Sequence, residues 1–174
     1  MSHWYDENRA HGLDSRWLNA DDFASVFNSL NTGIVLEPLG VSYEGRDISS
    51  FRWGHGKMKI LLWTQMHGNE STGTRALLDL IKFFDEPREF AWLRDTIKKE
   101  CTLHCIPVLN PDGAEAYTRV NAQKIDLNRD VIDRQALESK ILIEQLEKIN
   151  PHYCFNLHDQ RSLFSVGENN FPAT

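Results

Sequence analysis

One apolar stretch constrains the fold of this chain more than any other feature of its sequence. Residues 59–64 are mainly apolar and show no polar alternation, which is typical of a strand buried on both faces of a sheet. A polar turn at 67–71 follows, and residues 72–84 then place their apolar side chains on one helical face. A buried strand that leads directly into an amphipathic helix predicts an α/β fold.

The rest of the chain alternates in the same way. Apolar spacing predicts further helices, and apolar runs between turn residues predict further strands, two of them forming a hairpin around residues 43–46. The expected helices are 20–30, 90–98 and one that Asp133 caps and that ends before Pro151; the expected strands are 33–39, 47–53, 101–109 and 152–157, with a polar loop over 110–133. We expect a mixed, largely parallel sheet with helices on both faces.

Composition narrows the class of protein. The chain of 174 residues has the length of one domain, and its formal net charge of −6 disfavours a nucleic-acid binder. Its three cysteines show no disulfide spacing and predict reduced thiols, while no apolar run approaches the roughly 20 residues of a membrane span. Because the N-terminus also lacks a signal-like apolar region, we expect a cytoplasmic protein that binds neither nucleic acid nor membrane.

Three candidate metal ligands lie at the ends of predicted strands. His67 and Glu70 share the turn that follows strand 59–64, and His158 follows strand 152–157. In open α/β sheets, sites are built at the carboxyl ends of the strands, and zinc accepts two histidines and a carboxylate while leaving a position for water. On spacing alone, the alternative is a hydrogen-bonded turn whose carboxylate caps the next helix.

The polar loop carries candidate substrate-binding residues. Arg119 is followed by Asn128 and Arg129, and two guanidinium groups beside an amide suit the recognition of a carboxylate. The alternative is that these are surface arginines paired with the neighbouring aspartates of the same loop.

Six short motifs resemble, in their order, the zinc metallocarboxypeptidases, the M14 or carboxypeptidase A-like family. They are Tyr43-Glu44-Gly45-Arg46, His67-Gly68-Asn69-Glu70, Asn110-Pro111-Asp112-Gly113, Arg119-Val120-Asn121, Asp126-Leu127-Asn128-Arg129 and Asn156-Leu157-His158. Each motif is weak alone, but six in the right order make a chance match improbable. The resemblance spans residues 33–167 and implies the fold of the zinc carboxypeptidases.

The resemblance implies one Zn²⁺ ion as cofactor, held by His67, Glu70 and His158. Asp126 would accept a hydrogen bond from His67 and so orient it, as carboxylates commonly do for zinc-bound histidines. The implied activity is the removal of the C-terminal residue from a peptide by a water molecule that the zinc activates.

The resemblance also implies roles for the residues of the polar loop. Arg119 would polarise the scissile carbonyl and stabilise the oxyanion, while Asn128 and Arg129 would hold the free carboxylate of the substrate. Such a clamp selects a substrate with a free carboxylate, either a peptide or a small acyl amino acid. After His158 the chain departs from the pattern of secreted members. There Asp159 would support the site or Arg161 would contact substrate, unless the two simply form a surface pair.

The general-base glutamate of the family is expected on a strand well beyond the third zinc ligand. Glu168 is the only glutamate after His158, and it lies too close in sequence to match that position. We therefore expect residues 1–174 to be a single, truncated catalytic domain, with an N-terminal extension and helix over 1–30 and an incomplete C-terminus. Its sheet would then have an exposed edge that allows self-association.

Two other functions fit the same residues. One is a zinc deacylase or amidase of the same fold that acts on N-acyl amino acids or cell-wall peptides. The other is a non-catalytic zinc- or peptide-binding fragment, because the general base is missing from the sequence. A purely structural zinc is disfavoured, since structural sites are usually closed by a fourth protein ligand, often cysteine.

Overall fold

The computed structural model describes residues 5–6, 9–13, 15–30, 32–85, 89–159, 164–166 and 171–173. Glu168 and Arg161 lie outside the described residues. The helices are α1 (Ala20–Ser29), α2 (Thr72–Asp85), α3 (Ala91–Glu100), α4 (Pro111–Glu115) and α5 (Leu137–Ile149). The strands are β1 (Leu36–Val41), β2 (Asp47–Gly54), β3 (Met58–Thr64), β4 (Cys101–Ile106), β5 (Tyr153–Leu157), β6 (Phe164–Val166) and β7 (Phe171–Ala173).

Five of the strands form one mixed sheet in the order β1-β2-β4-β3-β5. β3 pairs in parallel with both β4 and β5, whereas the hairpin β1–β2 is antiparallel and joins β4 through an antiparallel pairing of β2. Because β3, β4 and β5 run in the same direction, their carboxyl ends meet at one edge of the sheet. The predicted hairpin and mixed sheet are confirmed, and β6 and β7 pair separately with each other.

Helices cover both faces of the sheet, as predicted. On one face, Phe51 of β2 belongs to the same buried cluster as Phe27 of α1 and Leu77 of α2. On the other, Leu61 of β3 shares a buried cluster with Leu142 of α5. Side chains alternate along a strand, so β3 contributes to both clusters, and this is why its sequence is apolar at nearly every position.

The predicted loop over 110–133 contains a short helix, α4, in which Pro111 occupies the first turn and Asn110 is the N-cap. The prediction that Asp133 caps the following helix is wrong. α5 begins at Leu137 after Ala136, whose side chain makes no capping bond. Instead the Asp130 carboxylate accepts hydrogen bonds from the backbone N–H groups of Gln135 and Ala136, each at 2.9 Å. Within the described residues, no helix is both long and apolar enough to cross a membrane.

Candidate metal centre

The structure brings the three predicted metal ligands together at the carboxyl edge of the parallel strands. His67 and Glu70 lie on the turn between β3 and α2, and His158 directly follows β5, the parallel neighbour of β3. One potential ligand atom from each of the three residues lies within 4.8 Å of those of the other two. Parallel pairing of β3 with β5 is therefore what joins residues that are far apart in sequence.

Both histidines present Nδ1 to the carboxylate of Glu70. His67 Nδ1 lies 2.9 Å from Glu70 Oε1, and His158 Nδ1 lies 2.8 Å from Glu70 Oε2. Burial alone would raise the pKa of Glu70, but the hydrogen bonds to the two histidines lower it to about 2. Glu70 is thus held as a carboxylate, with one imidazole nitrogen within hydrogen-bond distance of each of its oxygens.

Asp126 and Arg119 form the second layer of the centre. The other ring nitrogen of His67, Nε2, lies 3.1 Å from Asp126 Oδ1, and Arg119 Nε donates to Asp126 Oδ2 at 3.1 Å. Burial would raise the pKa of Asp126, but His67 and Arg119 together lower it. Arg119 also reaches towards the ligands themselves, because its Nη1 lies 3.5 Å from Glu70 Oε1.

The donor set fits a zinc ion. A carboxylate at Nε2 of His67 favours the tautomer with the proton on that nitrogen, which leaves the Nδ1 lone pair for a cation. Two imidazole nitrogens and one carboxylate are ligands that zinc accepts in catalytic sites, where a fourth position stays open. Residues His67, Glu70 and His158 could therefore hold the ion, with the carboxylate of Asp126 behind the first histidine.

Backbone packing keeps the motif loops in contact behind the centre. A Cβ atom on Gly68 would lie 1.9 Å from the carbonyl carbon of Gly113, so only glycine fits at position 68 in this arrangement. The N–H of Asn69 donates to the carbonyl of Thr118 at 3.1 Å. The N–H of Thr118 in turn donates to the carbonyl of Gly113 at 2.8 Å. Two of the motifs noted in the sequence are thus in direct contact, and both contact Thr118, the residue before a third motif.

A sequence model of the family described as zinc carboxypeptidase matches residues 24–156, most of the chain. The chain belongs to the zinc carboxypeptidase family. This confirms the family resemblance noted in the sequence, and the solved structures below confirm the fold class.

Three relatives show the extent of the similarity. Carboxypeptidase 2 of Trichophyton rubrum is 29% identical over 103 residues, which are 58% of this chain and 19% of that protein. The metallo-carboxypeptidase of Burkholderia cenocepacia superposes with a TM-score of 0.75 at 20% identity, over 85% of this chain and 43% of that one. A metallo-carboxypeptidase of Pseudomonas aeruginosa in complex with (2-guanidinoethylmercapto)succinic acid gives a TM-score of 0.70 at 22% identity, over 85% and 41%. The chain matches less than half the length of each of these relatives.

The predicted substrate residues of this zinc carboxypeptidase chain lie on the turn that begins at Asp126. The N–H of Asn128 donates to Asp126 Oδ1 at 3.0 Å, and the Asn128 side-chain oxygen lies 3.5 Å from Nδ2 of Asn156 on β5. Arg129 is exposed, and its N–H donates to the Asp126 carbonyl at 2.9 Å. Asp126 thereby links the turn that carries the predicted clamp to the histidine of the metal centre.

The sequence reasoning missed the structural role of Asp112 and left that of Asp159 open. Asp112 is buried, accepts hydrogen bonds from Ser42 Oγ at 2.6 Å and Arg46 Nη1 at 2.7 Å, and so ties the hairpin turn to α4. Asp159 accepts a hydrogen bond from Thr72 Oγ1 at 2.7 Å at the start of α2, and its own N–H donates to Glu70 Oε2 at 3.3 Å. The only available signal for Asp112 was its place between proline and glycine, which indicates a turn but not its partner.

Proposed function

We propose that this chain carries the metal centre and the carboxylate clamp of a zinc metallocarboxypeptidase that removes the C-terminal residue from peptides. The observation that supports this most strongly is the convergence of His67, Glu70 and His158 beside the guanidinium of Arg119. Residues 1–174 would be part of a single catalytic domain, since the core and the candidate centre share one sheet.

His67, Glu70 and His158 would hold one zinc ion, with Asp126 orienting His67. When bound, zinc supplies a Lewis acid that activates water as a nucleophile at neutral pH. Two neutral histidines and one carboxylate would leave a net positive charge at such a centre, which favours the binding of an anionic group.

Arg119 would polarise the carbonyl of the scissile bond. Its Nε is fixed by Asp126, its Nη1 lies 3.5 Å from Glu70 Oε1, and its side chain is about half exposed to solvent (48%). A fixed donor stabilises negative charge that develops on the carbonyl oxygen during attack, without having to reorganise as the charge appears.

Asn128 and Arg129 would bind the terminal carboxylate of the substrate. They follow Asp126 on the same turn, so their distance from the centre is fixed by the backbone bonds of that turn. The Pseudomonas relative is in complex with a succinic acid derivative, a compound with two carboxylates. The binding of a dicarboxylate by that relative supports the proposal that the present chain accepts an anionic group.

The first test is native mass spectrometry of the protein from its natural source, purified without chelator. One zinc per chain is expected, and a metal-free chain would contradict the proposal. The zinc-loaded protein is then assayed on peptides with a free or an amidated C-terminus and on N-acyl amino acids. Release of the last residue from free peptides only supports a carboxypeptidase, release of the acyl group supports the deacylase, and zinc binding without turnover supports a binding module.

The clamp is tested with Arg129→Ala, and Arg134→Ala is the matched control, because Arg134 is a half-exposed arginine whose Nη1 lies 3.9 Å from Glu147 Oε1. Loss of a bidentate charged contact is expected to raise KM for free peptides by roughly 10- to 100-fold. The zinc content should stay unchanged in both variants. Equal loss for free and amidated peptides would contradict a carboxylate clamp.

A further inference from the structure

A closed turn sets the geometry of the Arg119–Asp126 pair. The side-chain oxygen of Asn121 accepts hydrogen bonds from the N–H groups of Gln123 at 3.0 Å and Ile125 at 2.9 Å. Its backbone N–H donates to the carbonyl of Ile125 at 3.0 Å. The chain therefore reverses between the two ends of this turn, which brings Arg119 on one side next to Asp126 on the other.

The amide of Asn121 has one orientation in this arrangement, because its oxygen already accepts two backbone hydrogen bonds. Its Nδ2 group must then donate elsewhere, and it donates to Glu138 Oε2 at 3.1 Å. Glu138 lies in the first turn of α5. It anchors the turn to a helix that packs on the sheet.

Glu138 is a costly residue to bury. It is fully buried, and its second oxygen, Oε1, has no hydrogen-bond partner among the described residues. Burial raises the pKa of this carboxyl. A buried polar group with an unsatisfied atom destabilises a fold, and an apolar side chain of similar size would avoid that penalty. The contact that this side chain makes with Asn121 is therefore the candidate reason for a glutamate at this position.

We propose that Glu138 is a positioning residue, which holds the guanidinium of Arg119 beside the metal ligands by fixing the turn at Asn121. The inference rests on the proposed function in one respect, because the expected effect on kcat assumes that Arg119 acts in turnover. The positioning of Arg119 itself does not depend on that assumption. The path is Glu138 to Asn121, through the turn at 121–125 to Asp126, and from Asp126 Oδ2 to Arg119 Nε. Glu138 itself touches neither substrate nor metal.

The test compares two substitutions at this position in the zinc-loaded protein. Glu138→Gln keeps an acceptor for Asn121, and Glu138→Met removes it while keeping a side chain of similar length that adapts to buried gaps. Ser139→Ala is the matched control, because Ser139 is a buried polar residue on the same turn of α5. Zinc content, kcat, KM and the 1H–15N signal of Arg119 Nε–H are measured for each.

We expect Glu138→Met to lower kcat by about 10- to 100-fold, the usual effect of losing an outer-shell contact, with zinc content and KM changed much less. The Arg119 Nε–H signal should shift in Glu138→Met and keep its position in Glu138→Gln and Ser139→Ala. In the background of Arg119→Ala, Glu138→Met should cause no further loss of kcat, because the two residues act through one guanidinium.

An unshifted Arg119 signal in Glu138→Met, or a full extra loss of kcat in the double variant, would overturn the inference. If Glu138→Met does not fold, Asn121→Asp replaces it, since aspartate keeps the acceptor for the turn but places a second carboxylate oxygen against Glu138. It should shift the same signal at pH 8. If Arg119→Ala alone leaves kcat unchanged, the proposed role of Arg119 fails, while the Nε–H signal still tests the positioning.

Discussion

The carboxylate of Glu70 holds the candidate centre together at the scale of single residues. Its Oε1 faces His67 and Arg119, and its Oε2 faces His158 and the N–H of Asp159. Both oxygens are therefore fixed before a metal binds. Ligand atoms that are already held close together lose little conformational entropy when they bind an ion, which favours zinc binding by these three residues.

Removal of either candidate histidine ligand should weaken zinc binding strongly while the fold remains. We expect His67→Ala and His158→Ala to weaken zinc affinity by more than about 100-fold, because even outer-shell losses reach that size. Zinc content by mass spectrometry and the far-ultraviolet circular dichroism spectrum check this. His55→Ala is the control, since His55 is an exposed histidine between β2 and β3. Full zinc content in either variant would contradict the assignment of that histidine as a zinc ligand.

The glycine at position 68 is a second residue whose effect can be predicted from contact distances. In Gly68→Ala the new methyl group would meet the Gly113 carbonyl carbon at 1.9 Å, so two loop backbones must move apart. We expect the free energy of unfolding to fall by about 1–3 kcal/mol or more, and zinc affinity to fall with it. In Gly33→Ala, where no atom of the described residues beyond the two chain neighbours lies within 4 Å of the new group, urea unfolding should show little change.

At the scale of elements, the helices and strands follow from local patterns, whereas the loop that carries the site does not. The apolar stretch of β3 and the spacing of α2 are visible in the sequence because burial imposes them directly. The shape of residues 110–133 depends on distant partners, such as the bond from Asn110 Nδ2 to the Met66 carbonyl at 3.2 Å. Hydrogen bonds between residues far apart in sequence leave no periodic pattern in the sequence. The sequence therefore predicts a polar loop and its candidate residues but not α4.

The start of α5 shows the same limit. The sequence correctly predicts that an aspartate accepts hydrogen bonds from backbone N–H groups near the start of α5. It does not distinguish Asp130 from Asp133, because both precede the apolar helical pattern by a few residues. The conformation of the turn decides between them. The carbonyl of Asp130 accepts a hydrogen bond from the N–H of Arg134 at 2.7 Å, and this turn places the Asp130 carboxylate next to the N–H groups of Gln135 and Ala136. By contrast, the grouping of His67, Glu70 and His158 was predictable, since it needs only the direction and order of parallel strands.

Asp130 should therefore stabilise the protein in a pH-dependent way. Burial would raise its pKa, but the N–H groups of Gln135 and Ala136 lower it below the usual value near 4. A group whose pKa is depressed by folding adds stability that is present above its unfolded pKa and lost as the pH falls through its folded pKa. Asp130→Ala should lower the free energy of unfolding at pH 7 by about 1–3 kcal/mol. Urea unfolding between pH 7 and pH 3 should show that this difference shrinks in acid.

Asp133→Ala is the matched control for that experiment. Asp133 is an exposed aspartate of the same loop, and such surface substitutions usually change stability by less than about 0.5 kcal/mol. An equal loss in both variants, or a loss in Asp130→Ala that does not depend on pH, would contradict the capping role of Asp130.

At the scale of the whole molecule, the two edges of the five-stranded sheet differ in character. β1 carries Pro38, and its pairing with β2 shifts register between Pro38 and Gly40. Proline and bulges discourage further strand pairing. β5, at the other edge, has neither proline nor charge, and Tyr153 and Phe155 are 55% and 47% exposed. Among the described residues nothing pairs with its outer side.

We therefore predict that residues 1–174 alone associate through β5 and not through β1. A lysine on an edge strand opposes pairing because its charge would be desolvated, so Phe155→Lys should weaken self-association at least about tenfold, equivalent to 1.4 kcal/mol. Val41→Lys, at a position 46% exposed on the opposite edge, should leave association unchanged. Sedimentation over a range of protein concentrations measures both. If the unsubstituted chain of residues 1–174 stays monomeric at high concentration, β5 is not a pairing edge. The same conclusion follows if Val41→Lys weakens association as strongly as Phe155→Lys does.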